Sequence, residues 1–176
     1  MRSMLEMFDT KLTTAITRLP SWLRPLMSFV TLIGGPVFTV GIGLLLFGFG
    51  LAKPDEDILQ AGFVIVATIA TGALLKLLLR RKRPITYIVR WPFMTFSFPS
   101  GHTVGSVVAY GALAYVSLRF GNLWGFVGTA IFSFLAVLVG VTRVYLGAHF
   151  PSDVAAGWVV GGAGLLMIIL MIQPAI

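Results

Sequence analysis

The chain has 176 residues, 57% of them hydrophobic and 11% charged, with a mean hydropathy of +0.96. A water-soluble domain of this size could not cover so much apolar surface with a polar exterior, so the composition calls for lipid as solvent. The net charge of +7 falls in short segments between apolar runs, which directs it to anionic headgroups rather than nucleic acid; the lack of cysteine excludes disulfides, thiolate metal sites and cysteine nucleophiles.

Met1 to Leu19 carries Arg2, Glu6, Asp9, Lys11 and Arg18 without an uninterrupted apolar core, so it does not read as a cleaved signal. From residue 4 to 19, Met4, Leu5, Phe8, Leu12, Ala15, Ile16 and Leu19 share one side at helical spacing, while Glu6, Asp9, Lys11 and Thr13 fall elsewhere. That pattern predicts an amphipathic helix in the membrane interface, ended by Pro20. A short apolar segment, Trp22 to Ile33, stops at Gly34-Gly35-Pro36.

Five spans are expected next: Pro36 to Ala52, Ile58 to Leu79, Gly101 to Leu118, Leu123 to about Val141, and Ser152 to Ile172. The expected fold is an all-α membrane bundle in a single domain, residues 1–176, with 1–33 interfacial and 36–176 spanning. The connector from 84 to 100 is rich in proline and aromatics (Trp91, Phe93, Phe96, Phe98), which suits the headgroup region. Gly105, Gly111, Gly157, Gly161, Gly162 and Gly164 would allow close helix contact.

Alternate crossings bring four helix ends to one face, carrying Lys76 to Arg83, Ser100 with His102, Arg143, and His149 with Asp153. Lys76 and Arg83 are seven residues apart, a spacing that puts them on one helical face with Arg80 between. Ser100 reads as an N-cap, with Gly101 leaving the first backbone N–H groups open to an anion such as phosphate. His149 and Asp153 are four apart, so one helical turn lets the carboxylate hold one imidazole nitrogen and leave the other aimed outward as a nucleophile. Taken singly, each segment also reads as snorkelling, turn or capping chemistry. Together they supply what phosphoryl transfer needs: cations for the non-bridging oxygens, an in-line nucleophile and an acid for the leaving group. Two histidines and one nearby carboxylate among many cations make a poor metal site.

Three segments carry a family resemblance: Lys76-x6-Arg83-Pro84, Pro99-Ser100-Gly101-His102, and Thr142-Arg143-x5-His149-x3-Asp153. In order and internal spacing the chain resembles the type 2 phosphatidic acid phosphatase superfamily over about residues 58 to 172. The resemblance implies that His149 attacks phosphorus to form a phosphohistidine, oriented by Asp153, and that His102 protonates the leaving group and then activates water. It implies phosphate binding by Lys76, Arg83, Ser100, Gly101 and Arg143, with no metal and no cofactor. Thr142 stands where the family usually has serine, and the usual count of six spans is one more than the five expected here.

The implied partner is a membrane lipid bearing a phosphate or pyrophosphate, of the polyprenyl pyrophosphate, phosphatidylglycerol phosphate or phosphatidate type. A carrier lipid such as undecaprenyl pyrophosphate is favoured on family grounds. Transfer from the phosphohistidine to another lipid is the alternative enzymatic reading, and a non-catalytic lipid-binding protein the third. The protein is expected to be multi-pass in the cell membrane with its site on the extracytoplasmic face. Charge opposes that orientation, because all thirteen Lys and Arg except Lys53 and Arg119 lie on the site's side, which the positive-inside rule makes cytoplasmic.

Overall fold

A computed structural model describes residues 4–84 and 96–172, and the expectations for Arg2, Arg90, Trp91 and Phe93 lie outside them. The described residues form seven α-helices: α1 (Met4–Thr17), α2 (Arg24–Ile33), α3 (Pro36–Ala52), α4 (Glu56–Leu79), α5 (Gly101–Leu118), α6 (Leu123–Tyr145) and α7 (Pro151–Met171). Local chemistry explains the boundaries. Prolines 25, 36 and 151 sit in the first turns of α2, α3 and α7, where a missing N–H costs nothing. Asp55 caps α4 by accepting from the Ile58 N–H, and Asn122 caps α6 by accepting from that of Gly125.

Four stretches are long and apolar enough to cross a membrane: Ser21–Ala52, Glu56–Leu79, Leu123–Tyr145 and Pro151–Met171. The first contains α2 and α3, interrupted at Gly34-Gly35, so the short segment before that break is continuous in character with the span after it. The expected span Gly101 to Leu118 forms α5 but is not among these four. It is the most enclosed helix, with Val104, Val108, Ala109, Tyr110 and Ala112 buried among α3, α4, α6 and α7. A helix sheathed by neighbours can carry serine, threonine and glycine where a lipid-facing one needs leucine. Large apolar side chains on the surrounding helices, such as Leu45, Leu78, Phe134, Val159 and Leu170, point outward.

Packing depends on small residues, because lipid offers no hydrophobic drive for helices to associate. A methyl on Gly157 would stand 2.7 Å from Thr103 Cβ, and one on Gly161 2.8 Å from the Val104 carbonyl, so α7 and α5 approach to near backbone contact. Gly105 meets Thr39, Gly111 meets Leu165 and Gly164 meets Thr68 in the same way. Gly162 is different from the expectation: nothing lies within 4 Å of where its Cβ would be.

Helix α1 rests on α6 and α7. Its apolar side chains are half or more exposed at Met4 and Leu5, while Asp9, assigned to the polar side from periodicity, is 5% exposed and buried. The physical reason is pairing, since a carboxylate can leave water when enough donors meet it.

Candidate active site

The first motif is built differently from its spacing. Helix α4 ends at Leu79, and Arg80 turns the chain through the left-handed region at φ 48°. Lys76 and Arg83 therefore do not share a helical stripe, and Arg80 faces away, exposed, with Nε donating to the Leu77 carbonyl. Beyond the turn, Lys82 pairs with Phe96 in an antiparallel bridge, and the Ser97 N–H donates to the Arg81 carbonyl at 2.7 Å. The connector is thus closed at its neck. This clamp carries Arg83 back over the helix ends, where its Nη1 donates to the Ala148 carbonyl at 3.0 Å.

The third motif owes its spacing to a tight exit from α6. The Arg143 carbonyl accepts from the N–H groups of both Ala148 and His149, at 3.0 and 3.2 Å, with Gly147 at φ 70° making the reversal. His149 is 2% exposed, and the next helix starts two residues later at Pro151. Asp153, fully buried, accepts from the Phe150 N–H at 2.9 Å through Oδ2. That same oxygen lies 3.5 Å from His149 Nδ1, close enough for charge to act on the ring, though Nδ1 itself makes no hydrogen bond.

The opposite ring nitrogen of His149 meets a cation. Arg83 Nη1 stands 3.2 Å from His149 Nε2. A guanidinium can only donate, so Nε2 is the acceptor and carries the lone pair, which leaves the ring proton on Nδ1 facing Asp153. Burial pushes the imidazole pKa down to about 4; the Asp153 carboxylate opposes that, and Arg83, Arg143 and Lys76 add to it.

The second motif brings the start of α5 to the same place. Ser100 occupies the N-cap position of α5, yet its hydroxyl makes no capping bond; it accepts from Thr103 Oγ1 at 2.9 Å. The Ser100 N–H donates to the Asp153 carbonyl at 3.0 Å, tying the start of α5 to the start of α7. Lys76 Nζ would lie 3.5 Å from a methyl on Gly101, so the ammonium points at the open helix N-terminus. His102 is within electrostatic reach of Arg143, His149, Lys76 and Arg83. All the residues expected from the motifs converge. Thr142 turns its hydroxyl to the Val139 carbonyl at 2.7 Å, inside its own helix.

Four residues that the motifs do not specify also reach the site. Thr31 of α2 accepts from Arg143 Nη1 at 2.7 Å, and a methyl on Gly35 would stand 3.6 Å from His102 Nε2. Arg81 donates to Asp153 Oδ1 at 2.9 Å and to Asp9 at 2.7 Å. No local pattern marks Thr31 or Asp9; a buried partner for the basic run was the one available signal. Among the described residues, no three His, Asp or Glu side chains gather into a set that could hold a metal ion.

Residues 57–176 match the family model described as the PAP2 superfamily. The chain belongs to the PAP2 superfamily. Its sequence is 30% identical over 157 residues to phosphatidylglycerophosphatase B of Bacillus subtilis, covering 85% of this chain and 74% of that protein. It is 32% identical over 169 residues to the lipid A 1-phosphatase of Rhizobium etli, covering 81% of this chain and 68% of the relative. The crystal structure of a transmembrane PAP2-type phosphatidylglycerolphosphate phosphatase from Bacillus subtilis superposes with a TM-score of 0.81 at 26% identity, covering 99% of this chain and 90% of that one. With its apolar helices, the PAP2 chain is a multi-pass membrane protein.

Proposed function

We propose that this PAP2 protein hydrolyses the phosphate or pyrophosphate headgroup of a membrane lipid through a phosphohistidine on His149. The observation that carries this reading is the 3.2 Å approach of Arg83 Nη1 to His149 Nε2. It leaves a neutral imidazole with its lone pair turned toward the cations that would hold the phosphate.

In the first step the non-bridging oxygens sit among Lys76, Arg83, Arg143, the Ser100 hydroxyl and the open N–H groups around Gly101. His149 Nε2 forms a bond to phosphorus as the bond to the leaving oxygen breaks, and His102 gives that oxygen its proton. Asp153 balances the positive charge that develops on the His149 ring. In the second step His102 takes a proton from water, whose oxygen attacks phosphorus and frees His149. The products are inorganic phosphate and the lipid alcohol, or the lipid monophosphate where a pyrophosphate is cleaved.

Five crossings suit this site, with α5 traversing inside the sheath of the other helices and the site opening on the extracytoplasmic face. Substrates of the kinds named for the relatives, a phosphatidylglycerophosphate, an undecaprenyl diphosphate and a lipid A 1-phosphate, are the panel to test. Phosphate release by purified protein should occur on at least one of them, with and without chelator, and should vanish in His149→Ala. Retained turnover in that variant would remove the nucleophile; transfer of phosphate to a second lipid in place of release would replace hydrolysis by phosphotransfer.

A further inference from the structure

Asp9 is the one buried residue of α1 among those described there, and three donors reach it. The Ser152 N–H donates to its Oδ1 at 2.8 Å, the Ser152 hydroxyl to its Oδ2 at 2.8 Å, and Arg81 Nη2 to Oδ2 at 2.7 Å. Ser152 lies in the first turn of α7, where backbone N–H groups lack partners within the helix and the dipole favours a negative charge. Helix α1 thus supplies, from a distant part of the chain, a cap to the helix that begins beside His149.

Arg81 joins this cap to the site. Its Nη1 donates to Asp153 Oδ1 at 2.9 Å and to Ser152 Oγ at 2.6 Å, and its guanidinium lies 4.4 Å from the centroid of the Phe150 ring. A planar fork bridging two carboxylates while stacked on an aromatic ring has one orientation, which lysine's point charge would not reproduce. Asp153 is held at both oxygens in consequence: Oδ1 by Arg81, Oδ2 by the Phe150 N–H and beside His149 Nδ1. Remove Arg81 and a fully buried carboxylate oxygen loses its charged donor, so the carboxylate is free to turn away from the imidazole.

We propose that Arg81 and Asp9 are positioning residues for His149, acting through Asp153, so that the N-terminal helix is a working part of the active site. This rests on the reading of His149 as nucleophile. Outer partners that orient metal-bound histidines are worth about 10–100-fold, and the same order is expected where the orienting carboxylate is itself held by Arg81.

The test uses the full-length protein in detergent and whichever of the three panel lipids the wild type hydrolyses fastest. Arg81→Gln is expected to lower kcat about 10–100-fold with KM within about threefold, since the group touches no substrate. Arg81→Lys should recover only part of the loss, and Asp9→Asn should lower kcat in the same direction. The discriminating measurement is the cycle with Asp153→Asn: in that background Arg81→Gln should cost less than about threefold, because the residue it acts through is already disabled. An equal loss with and without Asp153, a change confined to KM, or wild-type kcat in Arg81→Gln overturns the proposal. Should Arg81→Gln fail to fold, Arg81→Lys and Asp9→Asn carry the same cycle. His149→Ala, run alongside, separates the failures: inactive His149→Ala with fully active Arg81→Gln removes the positioning role alone, whereas an active His149→Ala removes the nucleophile.

Discussion

Thr31 accepts a 2.7 Å hydrogen bond from Arg143 Nη1, linking the short helix before the Gly34-Gly35 break to an arginine that is 4% exposed. A buried cation must be held by its partners, and Thr31 is a neutral one that steers the guanidinium without quenching its charge. Thr31→Val preserves the shape and removes the acceptor. The bond to a charged group is worth about 1.5–3 kcal/mol, so kcat/KM should fall about tenfold or more, while Thr31→Ser should stay near wild type. Steady-state phosphate release on the two variants checks this, and equal rates would show that Arg143 keeps its position without α2.

Arg83 serves the Ala148 carbonyl and His149 Nε2 from a single Nη1 atom, and is one of the cations proposed to hold phosphate. An ammonium on a flexible stem has the charge but not the fork. Arg83→Lys should therefore lower kcat about a hundredfold, the order seen when one donor to a developing anion is lost. A Lys variant within threefold of wild type would reduce Arg83 to a point charge.

Burial holds His149 neutral, with a pKa of about 4 against its ordinary 6.5. Because the folded form resists the proton that the unfolded chain accepts, stability is complete above about pH 6.5 and drains away as pH falls toward 4. Thermal melts in detergent should show about 2 kcal/mol lost to this group between pH 7 and pH 5, a loss absent from His149→Gln. In kinetics, His149, the proposed nucleophile, stays unprotonated well below its ordinary pKa, so the acid limb of kcat/KM assigned to it should fall near pH 4. An acid limb at 6.5 that disappears with a conservative change at His149 would contradict the buried, cation-ringed geometry.

Gly157 and Gly162 provide a matched pair on α7. A methyl at Gly157 would press on Thr103 Cβ at 2.7 Å and on the Ser100 carbonyl at 3.0 Å, at the start of α5, whereas one at Gly162 meets nothing within 4 Å. Gly157→Ala should cost about 1–3 kcal/mol and reduce activity by displacing the start of α5, while Gly162→Ala should be neutral or slightly stabilising. Melting temperature and phosphate release, measured on both, test the α5–α7 contact.

Membrane residence and the order of the helices were legible in hydropathy, and the motif residues in their spacing. The misreadings have specific causes. Seven residues between Lys76 and Arg83 suggested two helical turns, but Arg80 breaks the helix and the Lys82–Phe96 bridge returns the chain. Asp9 fell on the polar side of a periodic pattern, yet its donors come from Arg81 and Ser152, far along the sequence. Helix α5, by contrast, formed at the bounds expected for a span, and its buried serine, threonine and tyrosine reflect protein on most of its sides.

Composition and short-range spacing were sufficient for the solvent, the helices and the three motif segments, because lipid selects for apolar length and the motifs are local runs of chain. Which nitrogen of His149 faces the cations, what holds Asp153 still, and the bond from α1 to the start of α7 were settled only by folding. Those are contacts between residues up to 143 positions apart, and no local propensity encodes them. They exist because buried charges must find partners wherever the packed helices bring one within reach.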